Sequence, residues 1–415
     1  MAIRFNQRRT STIARPRLGF VTIVWMMRFS TLVDRISGEG SEAWHVHDLA
    51  VRRQALGEDV IVLSIGDPDF DTPAAIIDAA VASMRSSRTH YSPMRGEQPL
   101  LDAIAPHASR LAGRPIGEDR IVSFPGAQCG LFATAMCLLE AGTEVIVPDP
   151  AYVTYEAVIG ATGASMARVP LDPERGFHLE AAAVAAAVSE RTRAVLINSP
   201  NNPTGAVLTR AEMEGLGEVC CEHDLWLICD EVYGGMTFGE EHVSPLALER
   251  CDDRVVSIGS LSKSHAMTGW RIGWVVAPPA LTGYLSNLSQ AMLYGSPQFI
   301  QDAAAVAIGE QHAETEQMRE AYRARAQVVV DELAAAPGLR CRMPDAGMFI
   351  VVDIRETRLA GRAFALELLE RELVAVLPCE AFGKGGAGHV RISLAESEDR
   401  LREACRRICR FADAL

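Results

Sequence analysis

The chain has 415 residues, 48% of them hydrophobic, and a formal net charge of −13. That length allows two domains and a large core, and that composition is globular throughout, without a long disordered or repetitive tract. The acidic balance argues against general nucleic-acid binding, which needs a basic surface.

Residues 1–28 differ from the rest, with Arg4, Arg8, Arg9, Arg15, Arg17 and Arg28 and no acidic residue. The apolar run Gly19 to Met27 is too short to span a membrane. No small-residue cleavage pattern follows it. The segment reads as a disordered extension without function, with a true start near Met26 or Met27. Glu42 to Leu56 then carries mixed helical spacing, and Val60 to Ile65 reads as a strand. Gly66-Asp-Pro-Asp-Phe-Asp-Thr-Pro73 is a turn and helix-start signal.

From there strands and helices alternate. Helix Ala75 to Arg85 leads to a loop with Tyr91, Pro93 and Gly96. Strand Ile121 to Phe124 is followed by Pro125-Gly-Ala-Gln128 and the apolar helix Cys129 to Leu139. Strand Glu144 to Val147 precedes Pro148-Asp-Pro-Ala-Tyr152, and strand Arg193 to Asn198 precedes Ser199-Pro-Asn-Asn-Pro-Thr-Gly205. Helix Arg210 to His223 precedes strand Leu225 to Cys229, which ends at Asp230. Strand Val255 to Ile258 opens onto Ser260-Leu-Ser-Lys263, and another apolar run covers Ile272 to Val276. This alternation predicts an α/β fold with a mostly parallel sheet. Ligands of such sheets collect beyond the carboxyl ends of the strands. Five polar signatures stand there, after residues 124, 147, 198, 229 and 258.

From Ala303 to Leu333 the pattern turns helical, and shorter strands follow at Met348 to Asp353 and His389 to Leu394. These predict a second, smaller α+β domain, completed by the segment before Gly66. The expected division is 1–28 extension, 29–71 N-terminal part of the small domain, 72–302 large domain and 303–415 C-terminal small domain. The ten cysteines include no Cys-x-x-Cys pair, and no metal-ligand cluster with histidine is evident, so no metal is expected. Such cysteines read as reduced core residues of a cytoplasmic protein.

Only two lysines, Lys263 and Lys384, occur among 40 Lys+Arg. Arginine cannot replace an amine that must lose its proton, because its pKa lies far too high. A lysine deprotonated in a pocket can attack a carbonyl and hold it as a Schiff base. A surface lysine is the usual alternative. The apolar, glycine-rich neighbours favour a reactive Lys263, while Lys384, in a Gly-rich loop, reads as the surface residue.

Gly66-Asp-Pro-Asp-Phe70, Asn201-Asn-Pro-Thr-Gly205, Asp230-Glu-Val-Tyr233, Ser260-x-x-Lys263 and Arg391 stand in this order. With them the chain resembles a class I/II, pyridoxal-phosphate-dependent aminotransferase of fold type I, from about residue 30 to the C-terminus. Each motif is weak by itself and the ordered set is specific. The resemblance implies that Lys263 holds the cofactor aldehyde as an internal aldimine and later moves the proton between Cα and C4′. It also implies amino-acid and 2-oxo-acid substrates, and a homodimer in which Tyr91 reaches the cofactor phosphate of the neighbouring subunit.

The residues make physical sense beside that resemblance. Asp230 closes a buried strand, where an unpaired carboxylate is costly, and a protonated pyridine nitrogen would offset it. An Asp capping a turn is the commoner use. Tyr233 and Asn202 would donate to the cofactor's phenolate oxygen. Gly126-Ala127-Gln128 opens a helix whose free N–H groups favour an anion, with Ser260 and Arg271 as further phosphate donors. Tyr152 stands where the family places an aromatic ring over the pyridine. Arg391, within His389-Val-Arg-Ile-Ser, would grip the substrate α-carboxylate, with Gly66 allowing close backbone approach. Phe349 is expected near the pocket or in the core.

Relatives that use aspartate often carry a lysine where this chain has Gln128, so dicarboxylic donors are not expected. A narrower resemblance, to bacterial arginine–pyruvate aminotransferases, rests on Gly126-Ala-Gln-Cys129, His223-Asp-Leu-Trp226, Ser260 through Val276 and Met292-Leu-Tyr-Gly-Ser-Pro297. It implies L-arginine as donor and a keto acid such as pyruvate as acceptor. Glu39 and Glu42 are candidate partners for the guanidinium. An aminotransferase for neutral or aromatic amino acids, or a C–S lyase on the same scaffold, is the alternative. A transcription regulator built on this fold would need an N-terminal DNA-binding domain, and the first 60 residues are too short and lack a helix-turn-helix pattern.

Overall fold

In a computed structural model, residues 29–36 and 44–415 are described. The expected extension over residues 1–28, and Glu39 and Glu42, lie outside them. The first strand, β1 (Ile61–Val62), is only two residues long, shorter than the apolar run Val60 to Ile65. Past Leu63 the backbone leaves the pairing, and the Ser64 carbonyl accepts a hydrogen bond from Arg391 instead.

A seven-stranded sheet is built from β2 (Ile121–Phe124), β3 (Glu144–Asp149), β4 (Ser165–Pro170), β5 (Thr192–Asn198), β6 (Trp226–Asp230), β7 (Val255–Ser260) and β8 (Gly273–Val276). Its order is β2-β8-β7-β6-β5-β3-β4. Strand β8 runs antiparallel to β2 and β7, and the remaining pairs are parallel. Both faces are covered, which is why these strands are near-continuous apolar runs. In β5, Val195 and Ile197 enter the core layer on one face, while Ala194 and Leu196 enter the layer on the other. The fold is α/β, with β2, β3, β5, β6 and β7 all ending on the same edge.

The second core lies around a four-stranded antiparallel sheet. It contains β9 (Arg340–Cys341), β10 (Phe349–Asp353), β12 (Leu377–Pro378) and β13 (His389–Ser393), in the order β12-β13-β10-β9. Strand β11 (Val374–Ala375) pairs in parallel with β1, tying the early segment to this unit. Helices Ala313–Leu333, Gly361–Glu372 and Glu398–Asp413 pack on it.

Two helical expectations change. The run Ala303 to Leu333 is part of two helices, Gln298–Gly309 and Ala313–Leu333, because Glu310 and His312 adopt extended backbone between them. Helix Gln98–Ala112 has no counterpart in the sequence pattern. It carries a proline in its first turn, where a missing N–H costs nothing, and Pro106 inside.

Candidate active site

Each carboxyl end on the common edge delivers polar groups to one place. A cavity of about 160 Å³ opens there, lined by Ala127, Gln128, Tyr152, Asn202, Asp230, Tyr233, Ser260, Lys263 and Arg271 among others. Gly66, Gly126 and Arg391 touch these residues directly. Tyr91 is not among the lining residues. It is 79% exposed, and its ring stands edge-on to Tyr294 at 4.9 Å.

Lys263 donates from Nζ to the Gly66 carbonyl at 2.7 Å. Burial lowers its pKa to about 8, and the Arg391 and Arg271 guanidinia push the same way against Asp67 and Asp230. A minority of the amine, far more than for an ordinary lysine, is therefore neutral near physiological pH, as a nucleophile or base requires.

Asp230 is buried on the cavity wall, and burial pushes its carboxyl up to about 6. Its protein donors are the Tyr155 hydroxyl at 2.8 Å and the Val232 amide at 3.3 Å. No cation among the described residues forms an ion pair with it. Asn198, its neighbour at the end of β5, donates to the Asp230 carbonyl at 2.8 Å and accepts the Asn202 amide at 2.7 Å. This locks the Asn202 turn against the strand ends. Asn202 Nδ2 lies 3.5 Å from the Tyr233 hydroxyl, so the two side chains converge on one edge of the cavity.

Helix Ala127–Leu138 starts at Gly126, whose side of the helix end has no side-chain cap. Gly126 has φ +86°, and a Cβ there would lie 2.4 Å from Arg271 Nη2. Arg271, itself in left-handed backbone, donates to the Thr268 carbonyl at 2.9 Å. No carboxylate pairs with it among the described residues. Gln128 accepts from the Thr154 hydroxyl at 3.0 Å, and Ser260 donates to the Ile272 carbonyl at 2.9 Å.

Arg391 is 3% exposed. It donates to Asn202 Oδ1 at 2.8 Å and to the Ser64 carbonyl at 2.9 Å. Its guanidinium stacks 3.8 Å from the Phe349 ring centre. Its Nε has no partner, and burial without an opposing carboxylate lowers its pKa to about 10. A buried cation left in this state is stabilised by an incoming anion. Phe349 also gives Gly66 a purpose beyond carboxylate approach, because a Cβ at 66 would lie 2.4 Å from the ring.

These residues fit pyridoxal 5′-phosphate. A buried carboxylate without a cation matches a protonated ring nitrogen. An uncapped helix start beside a guanidinium that has no carboxylate partner matches a phosphate, and a partly neutral lysine matches an aldehyde. Tyr152 stands half-buried on the cavity wall, edge-on to Tyr155 at 5.7 Å. Asn198, Tyr155, Thr268 and Ser64 escape the sequence reading. Asn198 carries the one usable signal, a polar residue closing an apolar strand just as Asp230 does.

A family model described as aminotransferase class I and II matches residues 58–408. Among curated relatives, the arginine–pyruvate transaminase AruH of Pseudomonas aeruginosa is 52% identical over 389 residues, covering 94% of this chain and 99% of that protein. An aspartate aminotransferase of Bacillus subtilis is 35% identical over 367 residues, 87% of this chain and 93% of that one. The solved structure of a Thermus thermophilus aspartate aminotransferase double mutant matches with a TM-score of 0.88 at 32% identity, covering 93% of this chain and 100% of that chain.

Proposed function

This chain belongs to the class I and II aminotransferase family, and from that premise we propose that it moves the amino group of L-arginine to pyruvate. Its cofactor is pyridoxal 5′-phosphate. When bound, the cofactor supplies a carbonyl that captures the amino group and a ring that takes up electron density as the Cα–H bond breaks. Asp230 would offset positive charge on the ring nitrogen, and Tyr233 and Asn202 would donate to the ring's oxygen. Tyr152 would hold the ring flat. Gly126, Ala127 and Gln128 at the helix start, with Ser260 and Arg271, would hold the phosphate.

Arg391 would take the substrate α-carboxylate in a charge-assisted fork, kept in aim by Asn202 and the Ser64 carbonyl beside Gly66. Lys263, with a lowered pKa, would take the proton from the substrate Cα and return it on the other side of the exchange. We place the enzyme in the cytoplasm as a homodimer, with Tyr91 reaching the neighbouring subunit's phosphate site.

The donor assignment is carried by the 52% identity to an arginine–pyruvate transaminase along nearly the whole of both chains. The uncharged Gln128 supports it, since this side chain offers a distal carboxylate no charge to pair with. Steady-state kcat/KM with pyruvate as acceptor tests it. Arginine is expected to exceed aspartate by ~10²-fold or more, because a missing buried partner penalises the wrong substrate strongly. Equal or reversed preference defeats the assignment.

A further inference from the structure

The cysteines are free thiols, and transamination uses none of them. Two nevertheless face each other. Cys221 Sγ and Cys251 Sγ lie 2.7 Å apart, closer than unbonded sulfurs rest. Cys221, partly exposed, sits in the last turn of helix Arg210–Glu222, and Cys251, buried, ends the short turn Glu249–Cys251. Backbone carbonyls aim both thiols. Cys251 donates to Gly217 at 3.2 Å and Cys221 to Arg250 at 3.6 Å. Gly217 makes this approach possible, since a Cβ there would come within 3.2 Å of the Cys251 sulfur. Burial pushes the Cys251 thiol up to about 12, so Cys221, the more exposed of the two, is the sulfur that meets an external disulfide first.

We propose that Cys221 and Cys251 are a modification site that closes into a reversible intrachain disulfide on reaction with a low-molecular-weight disulfide. The partly exposed Cys221 thiolate attacks one sulfur of oxidised glutathione. This breaks the glutathione S–S bond and releases one glutathione, which takes up the proton. Cys251, losing its proton, then attacks the Cys221 sulfur and releases the second glutathione. Two protein thiols are oxidised and one disulfide is reduced to two thiols, so atoms and electrons balance.

The place of the bond predicts its effect. Cys221 precedes β6 and Cys251 precedes β7, so both lie toward the amino ends of these strands, while Asp230 and Lys263 stand at or beyond the carboxyl ends. The staple closes a chain segment of 30 residues and should stabilise the large sheet without altering transamination.

Cofactor-loaded enzyme incubated with oxidised glutathione, then examined by intact mass and non-reducing peptide mapping, tests this. The expected product has lost two hydrogens, joins the peptides of Cys221 and Cys251, melts about 4 °C higher and keeps its kcat/KM. Dithiothreitol should reverse all of it. Cys221→Ser should abolish the mass loss, and Cys220→Ser should leave it intact. An unchanged mass, a glutathione adduct that persists on Cys221, a bridge through Cys220 or a link between two chains would each overturn the proposal.

Discussion

At the scale of single residues, the site is a set of charges held away from their natural partners. Lys263 has an ordinary pKa of 10.5 and a folded value of about 8. Between those two values the unfolded chain binds more protons, so the cofactor-free protein gains stability as pH rises from about 8 to 10.5. Below pH 8 it carries the whole cost of the buried ammonium, roughly 3 kcal/mol. Cofactor-free Lys263→Met should therefore be more stable than the parent at pH 7 in urea melts, with the gap narrowing toward pH 10. A gap that does not change with pH would show an amine open to water. Arg391→Lys keeps a positive charge but loses the fork and the stacking on Phe349. It should raise KM for the amino donor about tenfold or more, with a smaller effect on kcat. An unchanged KM would remove Arg391 from the carboxylate site. Lys263 was legible because only one other lysine competes with it. Tyr155, which holds Asp230, was not, since a tyrosine on a helix gives no sign of what faces it.

At the scale of elements, strand ends and helix starts place the chemistry. Helix Ala127–Leu138 meets the cavity at Gly126, in positive-φ backbone packed against Arg271. Gly126→Ala adds strained backbone and a Cβ into the guanidinium. The cofactor dissociation constant should rise by about tenfold or more, read by titration of absorbance, while far-UV circular dichroism stays unchanged. Full cofactor affinity in this variant would mean that the phosphate sits elsewhere. Strands β2 and β6 begin and end within a residue of the apolar runs that announce them, because a strand buried on both faces must be apolar throughout. Helix Gln98–Ala112 was hidden by its prolines, and the break at Glu310–His312 by helical composition on either side.

At the scale of the whole molecule, the candidate site is assembled between two cores. Arg391, on β13 of the smaller sheet, is bound to Asn202 beyond β5 of the larger one and to Ser64 from the early segment. Asp69, just past Gly66, is gripped by Arg325 and Tyr322 from helix Ala313–Leu333. The loop over Lys263 is therefore held by the smaller unit. Tyr91, exposed in one chain, belongs to the homodimer proposal. Light scattering should give twice the chain mass, and Tyr91→Ala should weaken cofactor retention without dissociating the dimer. A monomer with full activity would refute the shared site.

What the sequence determined by itself is whatever neighbours along the chain decide. That includes the apolar runs that must be strands, the polar residues that close them, and the lysine that follows directly on one of those strand ends. Tertiary structure alone decided which distant groups meet. Arg391 finds its partners 189 and 327 residues away, and Cys221 finds Cys251 across an intervening strand. Periodicity and turn chemistry act over a few residues, whereas such meetings depend on how whole sheets and helices pack, and no local pattern carries that information.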